Sequence, residues 1–232
     1  VVLTGWGGQI SLGQFALVGI GAAAAGTVSA EAGWDFVASV GVGGTVGLVA
    51  AVVLGLPALR IRGFFLAVTT LAFAVTTSTY LLRQPWIVPD GEVRRPFLLG
   101  RVDLESELTY YYVCLAVFAL VVLALRGIRA SRVGRAIVGT RDNVRAAQSY
   151  GANAVAARLA AFAIAGFVAG TAGALLVHQQ HGLPATQYAP QQSLAVFAVA
   201  VIGGLGSLPG AVLGAIYFKG AQYLLQGPWQ FF

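Results

Sequence analysis

The sequence predicts an all-α integral membrane protein, a polytopic helical bundle of about six spans with broken or re-entrant helices near Gly7–Gly13 and Gly203–Gly210. Three observations predict it. The composition is 58% hydrophobic and only 9% charged, whereas a soluble domain carries about 25% charged residues. Six apolar runs, Gln14–Ala30, Phe36–Leu59, Phe64–Leu82, Thr109–Leu125, Leu159–Val177 and Leu194–Phe218, approach or exceed the roughly 20 residues that carry a helix across the hydrocarbon core. The runs are continuous instead of alternating, which favours helices over a barrel as the way to satisfy the backbone inside lipid.

Charge orients these runs. The segment Arg126 to Arg158 holds seven arginines against the single acid Asp142, a net +6 that equals the net charge of the whole chain. Arg60 and Arg62 follow the second run without acids. Excess Lys and Arg mark cytoplasmic loops, so both segments are expected inside, and the basic balance needs no nucleic acid to explain it. The loop from Arg83 to Leu108 has four arginines against five acids and is expected outside, with Glu31, Asp35 and the Gly182–Ala189 turn on the same side. Residues 1–232 read as one transmembrane domain with 126–158 as a cytoplasmic loop within it. The chain contains no methionine and Val1 follows no signal-peptide pattern, so its natural start, with further spans, is expected upstream. The lone Cys114 excludes an intrachain disulfide or a cysteine-based metal site and reads as packing.

Small residues recur at helix-packing spacing in Gly43-x-x-x-Gly47, Gly166-x-x-x-Gly170 and Gly210-x-x-x-Gly214, which lets backbones approach closely in lipid. Two stretches share the pattern G-G-x-x-S-L: Gly7 to Leu12 before the first run, and Gly203 to Leu208 inside the sixth. Broken helices in corresponding halves mark the central site of repeat-built transporters, where free backbone groups meet a polar solute. Gln9, Ser11, Gln14 and Ser207 are therefore candidates for a solute path. In the third run Thr69 and Thr76 share a helical face, as do Thr70 and Thr77. These hydroxyls either line the same path or bond back to their own helix carbonyls.

Within the basic loop, Asn143 reads as an N-cap and Gly151 as a stop, leaving Val144–Tyr150 as a helix of about two turns. Asp142 suits the positive end of its dipole. Asn153 caps the next helix, with Arg158 snorkelling at the interface. The short helix offers Val144 and Ala147 on one side to another protein.

Ala146-Ala147-Gln148-Ser149-Tyr150-Gly151 resembles the "EAA" loop of ABC importer permeases, which docks into the ATP-hydrolysing subunit. The wider string from Gly134-Arg135-Ala136 through Thr140-Arg141-Asp142-Asn143 to Gly151 is similar to the permeases of branched-chain amino acid ABC importers. So are Gly8-Gln9-Ile10-Ser11-Leu12-Gly13, Gly55 through Arg60-Ile61-Arg62-Gly63, and Gly203-Gly204-Leu205-Gly206-Ser207. Arg145 stands where the broader motif has glutamate, and Trp86–Arg101 lacks the Thr-Gly-Gly-type sequence expected there. The resemblance implies a multi-pass subunit of a bacterial inner-membrane importer for branched-chain or related small amino acids, or for urea and short amides. It further implies two ATP-binding cassette subunits carrying ATP and Mg, a second homologous permease and an external solute-binding protein. Arg141, Asp142, Asn143, Ala146, Ala147 and Gly151 are the implied ATPase-coupling contacts.

No G-x-x-x-x-G-K-[ST] occurs in the chain, so ATP hydrolysis by a P-loop belongs to a partner, and neither a catalytic residue nor a cofactor of its own is expected. His178 and His181 lie one helical turn apart and would pair two metal ligands in an intramembrane enzyme. No third ligand adjoins them in sequence and H-E-x-x-H is absent, so they read as interfacial histidines and no metal site is expected. A stand-alone secondary transporter or channel usually buries ionisable groups at mid-membrane. The first five runs carry none at depth, which favours an external energy source and a neutral, zwitterionic or amide-like solute.

Overall fold

A computed structural model of the chain describes residues 1–61, 63–85, 87 and 93–226. Arg62, Trp86, Asp90 and Glu92, which enter the charge and loop readings, lie outside the described residues. Nine α-helices follow one another among those described: α1 Gln14–Glu31, α2 Phe36–Ala58, α3 Phe64–Thr79, α4 Glu107–Ala130, α5 Arg132–Asp142, α6 Val144–Ser149, α7 Ala154–Gln180, α8 Pro190–Gly203 and α9 Leu208–Gln226. A π-helical turn, Val2–Trp6, precedes them, and the only extended pairing among the described residues is the single Leu98–Val102 bridge.

By length and composition α2, α3 with its continuation to Arg83, α4 and α7 can cross a membrane, and a fifth crossing is available if α8 and α9 count together. The sixth apolar run does not continue straight, because α8 and α9 meet at a 119° bend. The break falls on Gly204, whose φ of +95° is open to glycine and strained for other residues. Helix α1 is a shorter sixth element of 18 residues, polar at both ends (Gln14, Glu31). Its surroundings explain its composition: Ala16, Ala22 and Ala25 have no exposed surface, so neighbouring helices and not lipid set the size of its side chains.

Helices α1, α2 and α7 form the core. In α7, 50% of the apolar stretch is buried against 11% in α4, so α7 is a central post and α4 lies on the rim. The glycine spacings of α2 and α7 face each other: a methyl at Gly47 would lie 2.5 Å from the Gly166 carbonyl oxygen, and one at Gly21 of α1 would lie 2.3 Å from the Gly170 α-carbon. Gly203 and Gly210 make the same backbone contact across the α8–α9 bend.

The helix ends at one pole of this bundle gather α5 and α6. The opposite pole holds the segment before α4. There Arg95 is buried, donating to the carbonyls of His178 (3.1 Å), Leu104 (3.3 Å) and Glu105 (3.2 Å) and to the Glu107 carboxylate (2.7 Å). Its guanidinium also lies 4.3 Å from the centre of the Tyr110 ring. One side chain thus ties the segment to α4 and α7. Asp35 adds a second tie, capping α2 through Val37 N–H while accepting from Gly100 N–H, both at 3.1 Å.

Candidate functional site

The basic loop is two helices joined at a sharp corner. Ser131 caps α5 by accepting from Gly134 N–H at 3.3 Å. Gly134, Ile137 and Thr140, one turn apart, are its buried side, and Ile137 joins a core with Leu3, Trp6, Ala157 and Phe162. Asn143 then leaves the helical region (φ −151°, ψ 105°), and its side chain caps α6 by accepting from Ala146 N–H at 3.0 Å. Gly151 follows with φ +82°, and Asn153 caps α7 through Val155 and Ala156 N–H. Helix α6 has no buried residue, and Tyr150 at its end is 92% exposed. The two-turn helix and both of its expected boundaries are present. Helix α5 is an addition to the expected loop, and it places Asp142 at its own C-terminal end, paired with Arg141 at 2.7 Å, as well as before α6.

The first G-G-x-x-S-L stretch adjoins this loop, and the second adjoins the segment just before the first. Arg141 Nη1 donates to the Gly5 carbonyl at 2.5 Å while its Nε holds Asp142 at 2.8 Å. A methyl at Gly8 (φ +64°) would lie 2.6 Å from Arg141 Cγ. On the far side of the same segment, Trp6 Nε1 donates to the Gly206 carbonyl at 3.3 Å, and a methyl at Gly5 would overlap the Leu205 carbonyl oxygen. The Arg129 guanidinium sits 5.3 Å from the Trp6 ring centre. The first break therefore lies between the end of α5 and the second break.

Above it, the chain entering α1 is held by hydroxyls. Thr70 Oγ1 accepts from Leu12 N–H at 2.9 Å, Ser11 Oγ from Gly13 N–H at 3.4 Å, and Ser193 Oγ of α8 from Phe15 N–H at 3.0 Å. Gln14 begins α1 half-buried, and the Gln9 side-chain oxygen is buried without a hydrogen-bond partner among the described residues. Of the third-run hydroxyls, Thr70 and Thr77 are buried. Thr69 and Thr76 lie on another, more exposed face, bonded to their own helix carbonyls at Phe65 and Ala72. Ser207 is at the second break, capping α9 through Gly210 N–H at 3.1 Å. The structure thus gathers Ser11, Thr70 and Gln14 at the α1 entrance and leaves Thr69 and Thr76 apart from them. It adds Ser193, Trp6 and Arg95, which sequence reading did not single out.

At the opposite pole an open cavity of about 930 Å³ is lined by residues including Ser29, Trp34, Asp35, Arg94, Phe97 and Asp103. His178 nearby is fully buried, its Nδ1 2.7 Å from the Ala174 carbonyl and its Nε2 3.1 Å from Ser29 Oγ. Both ring nitrogens are thus engaged within the bundle. No group of three or more His, Cys, Asp or Glu converges on a metal position among the described residues. Burial in the turn before α8 pushes the Tyr188 phenol above its ordinary value.

The family model described as branched-chain amino acid transport system / permease component matches residues 1–229. The high-affinity branched-chain amino acid transport system permease proteins LivM of Salmonella typhimurium and of Escherichia coli K12 are each 26% identical over 97% of this chain. LivH of Salmonella typhimurium is 33% identical over 62% of it and 44% of its own length. The chain spans 59% of the length of the LivM relatives. No solved structure matches it significantly.

Proposed function

Because the chain belongs to the family of branched-chain amino acid transport permease components, we propose that it is the membrane-spanning subunit of an ATP-driven importer for branched-chain or related small amino acids. It works with two separate ATPase subunits, a second homologous permease and an external solute-binding protein in a bacterial inner membrane. The observation that carries this reading is α6, a capped helix with no buried residue, set at a left-handed glycine within a loop of net charge +6. Its caps and the half-buried Val144 and Ala147 hold it against α5, and its exposed side suits a groove on an ATPase subunit, with Asn143, Ala146, Ala147 and Gly151 forming the contact and Arg141 and Asp142 standing behind it.

The supporting case for the solute path is the α1 entrance, where Gln9, Ser11, Gln14 and Thr70 bring side-chain oxygens to a break in the helix, with Thr77 buried further along the same face of α3. Polar groups at a broken helix suit a small zwitterion. The cavity at the opposite pole, with Arg94 beside Asp35 and Asp103, is the face that receives solute from the binding protein.

Reconstitution tests the reading. The full-length permease, its ATPases and its binding protein in proteoliposomes are expected to take up leucine, isoleucine or valine only when ATP is supplied to the α6 side. Uptake suppressed by urea or short amides and not by these amino acids would move the substrate to the amide class. ATP-independent uptake would replace the importer with a secondary transporter or channel.

A further inference from the structure

Resting on that importer reading, we propose that Arg141, Trp6 and Arg129 form a relay that couples the docking loop to both helix breaks, so that the Val2–Gly8 segment and the Leu205–Gly206 turn move as one body with the end of α5.

The contacts are continuous from loop to break. Arg141 sits at the end of α5, two residues before the α6 cap. Its guanidinium is oriented by Asp142, which takes Nε and Nη2, leaving Nη1 for the Gly5 carbonyl. A lysine, with one ammonium on a flexible stem, cannot hold both partners in this fixed fork. From Gly5 the path continues through the next residue, Trp6, whose indole N–H holds Gly206 and whose ring lies under Arg129 at the end of α4.

There is little slack along this path. A methyl at Gly5 finds no room beside Leu205, and one at Gly8 finds none beside Arg141. Trp6 is 2% exposed. Close-packed interiors transmit a displacement instead of absorbing it. The element that yields is the 119° bend between α8 and α9, hinged at Gly204. A contiguous network ending on a hinge is the physical requirement for coupling between distant sites. In this chain it joins residues 141, 5, 6 and 206, which no local sequence pattern connects.

The test uses the full-length permease with its ATPases and binding protein in proteoliposomes, measuring leucine uptake and ATP hydrolysis together. Arg141→Lys removes the fork and keeps the charge, and Trp6→Phe removes the indole N–H and keeps a ring. Each is expected to lower leucine taken up per ATP on the order of tenfold, the range for losing one charge-assisted or buried hydrogen bond. The double variant is expected to be little worse than either alone, because both lie on one path. W6F is expected to retain its ATPase subunits on purification. Uptake per ATP within about twofold of the unmodified complex for both variants, or fully additive losses, would overturn the relay. So would loss of the ATPase subunits from W6F, since that would make Trp6 part of docking. An unmodified complex with no ATP-driven uptake would instead remove the importer reading, and the relay with it.

Discussion

Gly170 of α7 lies so close to Gly43 of α2 that a methyl group on Gly170 would meet the Gly43 carbonyl oxygen at 2.2 Å. Backbone meets backbone there, so no side chain can rotate away. Gly170→Ala is therefore expected to force the helices apart and to destabilise the folded protein by about 1–3 kcal/mol, as overpacking does. Gly41→Ala, on the same helix as Gly43 but with nothing within 4 Å of the added methyl, is expected to be neutral or slightly stabilising, since alanine favours a helix by roughly 1 kcal/mol over glycine. Melting of the two variants in detergent against the parent decides it, and equal melting temperatures would sink the argument.

That packing was legible in the sequence because it depends on spacing within one helix, and the same holds for α6, whose cap at Asn143 and stop at Gly151 are local signals. The α8–α9 break was legible too, from glycine and proline in an apolar run. Helix α5 is masked in the sequence by its arginines, whose density hides Gly134, Ile137 and Thr140, a buried row at three-residue spacing behind the Ser131 cap. The contacts that organise the candidate site were not legible. Arg141 meets Gly5 and Trp6 meets Gly206 across most of the chain, and no periodicity reports which carbonyl a long side chain will reach. The threonines show the limit most plainly, since helical geometry placed Thr70 with Thr77 but could not say that Thr70 would find Leu12.

Thr70 and Thr69 should differ in consequence although they are neighbours. The Thr70 hydroxyl accepts from Leu12 N–H in a buried position, so Thr70→Val leaves that donor unsatisfied at about 1–3 kcal/mol and loosens the entrance to α1. Thr69→Val and Thr76→Val remove only bonds to their own helix carbonyls and are expected within about 0.5 kcal/mol of the parent. Melting and uptake measured on all three check this. A T70V protein as stable and active as T69V would detach Thr70 from the site.

The Arg95–Glu107 ion pair is lopsided: the arginine side chain is 1% exposed and the glutamate 78%. Removing each partner therefore has a different cost. Glu107→Gln keeps a side-chain oxygen as acceptor and leaves Arg95 bonded to three carbonyls, so it is expected to be the milder loss. Arg95→Ala strips hydrogen bonds from the His178, Leu104 and Glu105 carbonyls, and each carbonyl left buried costs about 1–3 kcal/mol. The expected sign is a protease-sensitive segment before α4 in R95A and a resistant one in E107Q. Similar proteolysis of both would mean that the carboxylate, and not the carbonyls, holds Arg95.

The proposed docking helix allows a cleaner separation of stability from function, because no residue of α6 is fully buried. Gly151 has φ +82°, out of reach for a proline ring fixed near −65°, and its N–H donates to the Gln148 carbonyl at 2.9 Å, a bond proline cannot make. Gly151→Ala keeps the N–H and strains the backbone by about 1–2 kcal/mol. Asn143→Ala removes the cap on Ala146 N–H, worth about 0.5–2 kcal/mol of helix stability. Because α6 has no fully buried residue, these energies fall mainly on α6 itself and little on the bundle. Membrane insertion and melting are expected to match the parent in all three variants, while recovery of the ATPase subunits on purification falls in G151A and N143A and falls furthest in G151P. Undiminished ATPase recovery with G151P would show that the shape of α6 is not what the partner reads, and the docking assignment would have to move to the exposed Tyr150 or the arginines of α5.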